Sequence, residues 1–426
     1  MEYLRKIVRI NREGAAVALP SICSAHPDVI EASLRLAGRL GEPLLIEATS
    51  NQVNQFGGYT GLTPSDFRKF VESIATNVGF DHSKIHFGGD HLGPQAWKSE
   101  PADIAMAKAE AMMRAYVEAG FTKIHLDCSE GCRGEAAQVS DEISALRSAR
   151  LASACEVAAA DPNELSYIVG TEVPPPGGAR AGESETIKST EPKAAISTLE
   201  AQNAAFSRAG LDAAWLRVAC LVVQPGLEFG PEEIDHFPLG SDDCLSAALD
   251  DYPHIAFEAH STDYQHPAVF PDLAHRHFAV QKVGPALTFA WREALFALDH
   301  IRRWSAPTAT SISDVLDRLM EADPGPWRSH YQGEGHDLRI LRIFGYADRI
   351  RYFWTHPEAQ AATSELLCYF DSYAPPEPLV RQYVSEDVLM AAESLLKEGV
   401  SFPKAILLAS VEIALHPYFF KADYRQ

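Results

Sequence analysis

An acid and an imidazole stand side by side in this chain, inside a glycine-rich segment that follows a short apolar run. Asp90 and His91 come after the run Lys84–Phe87 and the pair Gly88–Gly89, and Gly93–Pro94 follows. A strand end that presents Asp and His together in such a loop is where parallel α/β folds place their chemistry. We therefore take this segment as the centre of a candidate active site.

Other carboxylates and imidazoles stand at the ends of further apolar runs. Such groups, brought together from several strand ends, are how a barrel holds a divalent ion, here zinc or manganese. The predicted metal ligands are His91, Glu172 and His260, and the predicted catalytic carboxylates are Asp90, Asp127 and Glu258. A metal there would polarise a sugar carbonyl while a carboxylate moves a proton at the adjacent carbon.

Spacing separates these candidates from other histidines. Glu258 and His260 are two residues apart on one run, so their side chains are predicted to share a face. A single buried histidine is usually a hydrogen-bonded core residue. His86 and His125 lie inside apolar runs, and we predict a structural role for both.

A phosphate site is also predicted, because barrels often supply free backbone amides after strands seven and eight. Ser261, Thr262 and Gly284 are placed for this role, and Lys282 is the nearby cation. The alternative is that Gly284 and Pro285 merely start the following helix. The predicted substrate-binding residues are Asn51, Gln52, Gln224, Ser261, Thr262, Asp263, Lys282 and Gly284.

The elements that must position these residues are eight near-continuous apolar runs, each followed by a helical pattern. Runs of this kind are buried on both faces, as in parallel sheets. Eight such units indicate an α/β fold, a (β/α)₈ TIM barrel. A doubly wound sheet is the alternative, but strand one is followed by no Gly-x-Gly-x-x-Gly turn. The runs are Val17–Cys23, Pro43–Ala48, Lys84–Phe87, Lys123–Asp127, Leu165–Glu172, Leu216–Gln224, His254–His260 and Phe278–Val283.

The pattern becomes all-helical from about residue 305. We predict a barrel over residues 1–304 and a C-terminal helical extension over 305–426. The extension either packs on the barrel or forms an oligomer interface, so the sequence allows both a monomer and a homo-oligomer.

Composition restricts the partners. The chain has 58 acidic and 37 basic residues, a net charge of −21, which argues against nucleic acid or an anionic membrane as a partner. No apolar run is long enough to span a bilayer, and no signal peptide is seen. The seven cysteines form no disulfide framework, which favours reduced thiols and a cytoplasmic location.

Long motifs in this chain resemble the GatZ/KbaZ-type family, the tagatose-1,6-bisphosphate aldolase accessory subunits that are also labelled tagatose-6-phosphate kinases. These motifs are Ser24–Pro27, Ile46–Gly61, Gly88–Pro94, Lys123–Asp127, Gly170–Pro174, Glu258–Gln265, Lys282–Ala290 and Arg349–Tyr352. The resemblance implies a role in tagatose, galactitol or amino-sugar catabolism, with a ketose or ketose phosphate bound at the carboxyl ends of the strands.

The family in turn resembles the class II aldolases, which are zinc barrels. Asp90, His91 and His260 fit the aldolase pattern. Gln224 stands where the pattern has a histidine on strand six, and Gly284 stands where it has an asparagine on strand eight. An amide is a poor replacement for a zinc imidazole.

Three functions follow from the resemblance. The first is an accessory subunit that supports a separate class II aldolase catalytic chain. The second is a metal-dependent ketose or ketose-phosphate epimerase. The third, a kinase, is disfavoured because the chain has no Gly-x-x-x-x-Gly-Lys-Ser/Thr loop, so no nucleotide cofactor is predicted.

Overall fold

The computed structural model describes residues 2–170 and 187–420. Within them, eight parallel strands close into a barrel in chain order, with the last strand pairing with the first. The predicted (β/α)₈ barrel is confirmed. The barrel strands are β1 Leu19–Cys23, β2 Leu44–Thr49, β3 Ile85–Leu92, β4 Lys123–Leu126, β5 Ser166–Val169, β6 Val218–Val223, β7 Ala256–Ala259 and β8 Phe278–Val283.

Helices surround the barrel and continue beyond it. The α-helices are α1 Glu2–Arg12, α2 Pro27–Leu40, α3 Pro64–Val78, α4 Ala102–Glu118, α5 Asp141–Ala158, α6 Pro192–Arg208, α7 Asp212–Trp215, α8 Val269–His275, α9 Pro285–Ser305, α10 Ile312–Ala322, α11 Gly335–Phe344, α12 Pro357–Ser372, α13 Glu377–Val380, α14 Glu386–Lys397 and α15 Phe402–Leu415. Short 3₁₀ segments are His82–Lys84, Pro94–Trp97, Pro162–Glu164, Ser246–Leu249, Arg349–Phe353 and His416–Tyr418. No helix in the described ranges is long and apolar enough to cross a membrane.

The connection after β6 differs from the predicted helix. It holds an antiparallel two-stranded ribbon, Glu228–Phe229 with Ile234–Asp235, followed by the 3₁₀ turn Ser246–Leu249. Pro225, Gly226 and Gly230 explain the difference, because proline and glycine oppose helix formation. The ribbon brings Phe229 to the mouth of the barrel.

The amino-terminal helix α1 closes the end of the barrel at which the strands begin. Leu4 and Val8 are buried and pack with Leu19, Leu45 and Val280 from the strands. An apolar plug at this end leaves the carboxyl ends of the strands as the open face, which is the functional face of such barrels.

A glycine of strand β3 allows the Glu47 side chain to lie close to the backbone of that strand. A Cβ on Gly88 would lie 2.8 Å from Cγ of Glu47, so glycine leaves room for that carboxylate inside the barrel. His91, near the end of the strand, has a φ of 45°, in the left-handed region that side chains other than glycine rarely adopt. Strain of this kind concentrates at functional sites.

The carboxyl-terminal region is helical from α10 onward, as predicted. Helix α15 packs against α2 and α9, and its Glu412 pairs with Arg39. One continuous apolar core includes residues of the barrel and of these helices. The 3₁₀ turn Arg349–Phe353 reaches the barrel mouth, where Arg351 and Tyr352 line the same cavity as β3 and β8. The division at residue 305 stays a prediction.

Candidate active site

A cavity, here called the central chamber, lies at the carboxyl ends of the strands. Loops after β2 and β7 and the ends of β3 and β8 form its walls. The predicted site residues that line it are Asn51, Gln52, Asp90, His91, His260, Ser261, Asp263, Lys282 and Gly284. The prediction that these side chains meet at one end of the barrel is therefore supported by their placement.

Three histidines cluster at the chamber, and a separate carboxylate holds each of them. His91 and His260 line the chamber, and the fully buried His125 packs against both rings. The contacts are His91 Nδ1 to Asp127 Oδ2 at 2.8 Å, His125 Nδ1 to Asp90 Oδ1 at 3.0 Å, and His260 Nε2 to Glu258 Oε1 at 2.9 Å. The ring centroids are 5.0 to 5.2 Å apart. A carboxylate on one ring nitrogen orients the imidazole and leaves the other nitrogen for a metal, the usual arrangement around metal-bound histidines.

Two buried ammonium groups lie beneath the histidines. Lys123 Nζ is 2.6 Å from Glu47 Oε1 and 2.8 Å from Glu258 Oε2. Lys282 Nζ is 3.0 Å from Glu47 Oε2 and 3.4 Å from Glu258 Oε1, and it also contacts Asp90. The two lysines hold these carboxylates in place. Lys123, Glu47 and Glu258 are fully buried, and Lys282 lines the chamber.

The cluster carries more negative than positive charge. Four buried carboxylates, those of Glu47, Asp90, Asp127 and Glu258, face the two ammonium groups of Lys123 and Lys282. Leaving the histidines aside, the carboxylates outnumber the ammonium groups by two. Buried charges are costly unless they are paired, so the cluster favours an additional divalent cation.

The pKa shifts in the chamber follow from burial and from these neighbours. Burial alone would raise the pKa of Asp90, but His91 and Lys282 hold it well below its usual range. Burial alone would lower the pKa of His91, but Asp90 and Asp127 outweigh it and raise this pKa. Burial and the Lys282 ammonium lower the pKa of His260 to about 3, so this imidazole is neutral at neutral pH. Neutral imidazole is the form that binds a metal.

The described residues fit a divalent metal ion. One ligand atom from each of Asp90, His125, Glu258 and His260 lies within 4.8 Å of the others. His125 Nε2 is buried and has no hydrogen-bond partner in the described part of the chain. An imidazole nitrogen buried without a partner is rare in a folded protein, and a metal bond would satisfy it. Two imidazole nitrogens and two carboxylate oxygens form a mixed donor set that suits zinc or manganese.

The chain matches known proteins over nearly its whole length. A family model described as D-tagatose-1,6-bisphosphate aldolase subunit GatZ/KbaZ-like matches residues 4–422. The chain belongs to the GatZ/KbaZ-like family. This confirms the resemblance drawn from the sequence motifs.

Two relatives of this GatZ/KbaZ-like chain carry different activity names. A protein of Agrobacterium fabrum (strain C58) named D-tagatose 6-phosphate 4-epimerase is 45% identical over 420 residues, which are 97% of each chain. The crystal structure of a probable tagatose 6 phosphate kinase from Sinorhizobium meliloti 1021 matches with a TM-score of 0.84 and 46% identity. That match covers 94% of this chain and 99% of the other.

Several predicted substrate-binding groups are used inside the fold of the GatZ/KbaZ-like chain. Asp263 Oδ1 accepts hydrogen bonds from the amides of Gly284 at 3.0 Å and Ala286 at 2.8 Å. Burial raises the pKa of Asp263 to about 6, and these amides offset only part of that effect. The prediction that the Gly284 amide is free for a phosphate is therefore wrong, because a carboxylate of the same chain occupies that position.

Two further predictions need correction. Thr262 Oγ1 donates to the Lys282 carbonyl at 2.6 Å and faces the buried Tyr418 hydroxyl instead of the chamber. Gln224 Oε1 accepts from the amides of Gly226 at 2.8 Å and Leu227 at 3.1 Å, so this side chain closes its own turn. Glu172, a predicted metal ligand, lies outside the described residues.

The predicted catalytic carboxylates are each engaged with a histidine. Asp127 and Glu258 lie behind His91 and His260, where they orient the rings. Asp90 is the member of this set that also lines the chamber. A direct catalytic role is therefore best retained for Asp90.

Several groups of the site were not predicted from the sequence. His125, assigned there a structural role, lies among the other two histidines, and its alternation with Lys123 and Asp127 on one strand was the available signal. Arg351 and Tyr352 come from the helical extension, and no local pattern placed them at the barrel mouth.

Glu228 is another group that the sequence did not indicate. It is 3% exposed and lies on the ribbon beside Phe229, whose amide donates to its Oε1 at 3.0 Å. Burial raises the pKa of Glu228 to about 7. No local sequence pattern predicts the burial of Glu228, because this burial depends on contacts with residues distant in the chain.

Proposed function

We propose that this chain is a metal-dependent epimerase that inverts carbon four of a ketose phosphate of the tagatose and fructose type. The observation that carries the proposal is the set of three histidines, each held by its own carboxylate, at the functional end of the barrel. The relative named D-tagatose 6-phosphate 4-epimerase adds support, at 45% identity over 97% of both chains.

The sequence ranks an accessory aldolase subunit first, and the buried charges at the chamber support the epimerase ahead of it. Four carboxylates and two ammonium groups are buried together at the chamber. Such a cluster is costly to bury and does not stabilise a fold better than apolar packing would. A subunit without chemistry of its own has no need for such a cluster.

The reaction can be written with no oxidant or reductant. In an open-chain ketose the hydroxyl on carbon four is β to the carbonyl on carbon two. Loss of the hydroxyl proton lets the bond between carbons three and four break, giving an aldehyde and an enediolate. Rotation of the aldehyde and re-formation of the same bond on its other face, with return of the proton, gives the epimer.

Residues of this chain match the needs of that reaction. Of the three histidines, His125 and His260 belong to the four-residue ligand set described above and would hold the metal, which supplies Lewis-acid polarisation of the ketone, while His91 lies beside them. The Asp90 carboxylate stays ionised and lines the chamber, so it accepts the hydroxyl proton and gives it back. The Lys282 ammonium adjoins Asp90 and stabilises negative charge that develops on the sugar oxygens.

Metal analysis combined with NMR of sugar phosphates tests the proposal. Purified chain is expected to hold about one divalent ion and to convert tagatose 6-phosphate to fructose 6-phosphate. His125→Ala should lose both properties. His86→Ala is the matched control, because His86 is a half-buried histidine that stacks on Tyr3 at the closed end of the barrel. Metal-free protein with no product under any metal supplement would contradict the proposal.

The accessory role remains a second candidate, because the matching family is described as an aldolase subunit. It is tested by adding this chain to a class II tagatose-bisphosphate aldolase catalytic chain. Stable complex formation and a longer thermal lifetime of the aldolase would support that role. Their absence would leave the epimerase as the remaining proposal.

A further inference from the structure

A second chamber adjoins the central one and has no role in the chemistry described above. It lies between the segment after β1 and helices α9, α12 and α15, with a cavity volume of about 490 Å³. The two chambers share four wall residues, Cys23, Gln52, Gly284 and Arg351. A ligand that is longer than the central chamber can therefore extend past Arg351 into the second one.

Arg351 is the cation at this junction that carries no opposing carboxylate. Its guanidinium donates to the carbonyls of Ala347 at 2.6 Å and Asp348 at 3.0 Å and to the Tyr352 hydroxyl at 3.2 Å. Among the described residues, no carboxylate oxygen lies within ion-pair distance of it. Its positive charge is thus available to a ligand.

The two lysines that line the chambers are each paired with carboxylates. Lys404, in the wall of the second chamber, pairs with Asp28 and with Glu31 at 3.1 Å. Lys282, in the central chamber, pairs with Asp90, Glu47 and Glu258 as described above. An anionic ligand is therefore attracted to the junction more than to either interior.

Unpaired hydrogen-bond groups in the second chamber point to a ligand as well. Trp354 is 7% exposed, and its Nε1 donor is buried with no partner among the described residues. Thr363 Oγ1 and His26 Nδ1, in the same wall, are also buried and have no partner in that part of the chain. Leaving such groups unpaired is costly, and the oxygens of a bound anion would satisfy them.

The backbone amides that usually bind phosphate in a barrel already have a partner in this chain. Amides after the last barrel strand are the usual phosphate donors in these folds, but those of Gly284 and Ala286 already donate to Asp263. A phosphate-bearing substrate must find its donors elsewhere.

We propose that Arg351, with the unpaired donors of the second chamber, binds the phosphate group of the substrate. The carbonyl end of the sugar then lies among the three histidines, and its phosphate end passes the junction. This inference rests on the proposed function and assigns a binding site to the terminal phosphate monoester of its ketose substrate. A planar guanidinium is well suited to phosphate because it donates two parallel hydrogen bonds.

Arg351→Met tests the inference, with Arg318→Met as the charge-matched control. Arg318 is in the same helical extension, and its side chain is 59% exposed. Arg351→Met is expected to raise KM for tagatose 6-phosphate by about 10- to 100-fold, with a smaller change in kcat. The preference for tagatose 6-phosphate over tagatose should fall by the same factor, and Arg351→Lys should recover part of it. Metal content should not change.

Binding of inorganic phosphate, measured by calorimetry, separates this inference from the proposed function. If wild type binds phosphate and Arg351→Met does not, the subsite stands even where no epimerase activity is found. If Arg351→Met binds phosphate and tagatose 6-phosphate as wild type does, the inference is overturned. Should Arg351→Met fail to fold, Trp354→Phe removes the Nε1 donor while keeping an aromatic ring, and it is expected to weaken phosphate binding about 3- to 10-fold. Unchanged phosphate affinity in that variant would equally overturn the inference.

Discussion

The His91 imidazole is held by the carboxylate of Asp127, with 2.8 Å between Nδ1 and Oδ2, although the His91 backbone has a φ of 45°. Asp127 is itself fixed, because Ser129 donates to its Oδ1 through the hydroxyl at 2.6 Å and through the amide at 3.2 Å. The strained backbone and the anchored carboxylate together fix the orientation of an imidazole that lines the chamber. This relationship is what a metal centre needs and what packing alone does not require.

Asp127→Asn is expected to weaken metal binding about 10- to 100-fold while the fold is retained, because the asparagine side chain has no charge to hold the ring. Titration with a metal-sensitive dye measures the effect. Asp81→Asn is the matched control, since Asp81 accepts the same two bonds from Ser83 on an exposed turn. Equal metal affinity in Asp127→Asn and wild type would count against a role for His91 at the metal site.

Lys123→Met should destabilise the fold strongly. Lys123 is fully buried, and its removal leaves Glu47 and Glu258 facing each other with one fewer positive charge. The expected loss in the free energy of unfolding is about 3–5 kcal/mol, measured by urea titration. Adding Glu47→Gln should recover part of this loss.

The exposed pair of Lys98 and Glu130 provides the contrast to the buried lysine. Lys98→Met should change the free energy of unfolding by no more than about 1 kcal/mol, because solvent screens an exposed pair. A similar small change for Lys123→Met would show that the buried cluster relaxes or takes up water.

The barrel could be predicted from the sequence because its strands are local features. Each is a short apolar run, and a polar residue at its end marks the functional face. The alternation that placed Glu258 with His260 is confirmed by their contact at 2.9 Å. The same alternation of Lys123, His125 and Asp127 was present, but the apolar surroundings of His125 favoured a structural interpretation.

The parts of the site that the sequence did not indicate depend on distant contacts. The Gly284 amide is engaged by Asp263, a residue 21 positions earlier, and nothing in the local Gly-Pro pattern shows this. Arg351 reaches the chamber only because the helical extension packs on the barrel. Which group binds an amide, and which segment covers the barrel mouth, depends on tertiary structure and cannot be read from local sequence.

Gly58→Ala should distort the loop that carries Asn51 and Gln52 into the chamber. Gly58 has a φ of 54°, and a Cβ there would lie 2.3 Å from the Gln52 carbonyl oxygen. Gly61 is the matched control, with a φ of 77° and no atom within 4 Å of an added Cβ. Gly61→Ala should lower stability by about 1–2 kcal/mol through backbone strain alone.

The clash makes Gly58→Ala the more harmful of the two glycine changes. It should lower both the melting temperature and kcat/KM for the sugar phosphate by clearly more than Gly61→Ala does. Thermal unfolding and steady-state kinetics provide the two measurements. Equal effects of the two substitutions would indicate that the loop adjusts without moving Gln52.

Glu228→Gln should make stability less dependent on pH. Burial raises the pKa of Glu228 from 4.5 to about 7, and the Phe229 amide offsets only part of this. Between these values the unfolded chain releases the proton while the folded chain keeps it. Stability is therefore fully present below about pH 4.5 and falls as the pH rises toward 7, by about 3 kcal/mol in total for this group.

Urea titrations at pH 5 and pH 8 measure the difference between Glu228→Gln and wild type. Glutamine keeps an acceptor for the Phe229 amide but cannot ionise, so the variant should be the more stable protein at pH 8 and closer to wild type at pH 5. Some pH dependence in the same direction should persist, because burial also raises the pKa of Asp263 to about 6. Glu232→Gln, at an exposed position in the same ribbon turn, should behave like wild type. Identical pH profiles for Glu228→Gln and wild type would mean that Glu228 is ionised in the folded protein and that a counter-charge reaches it there.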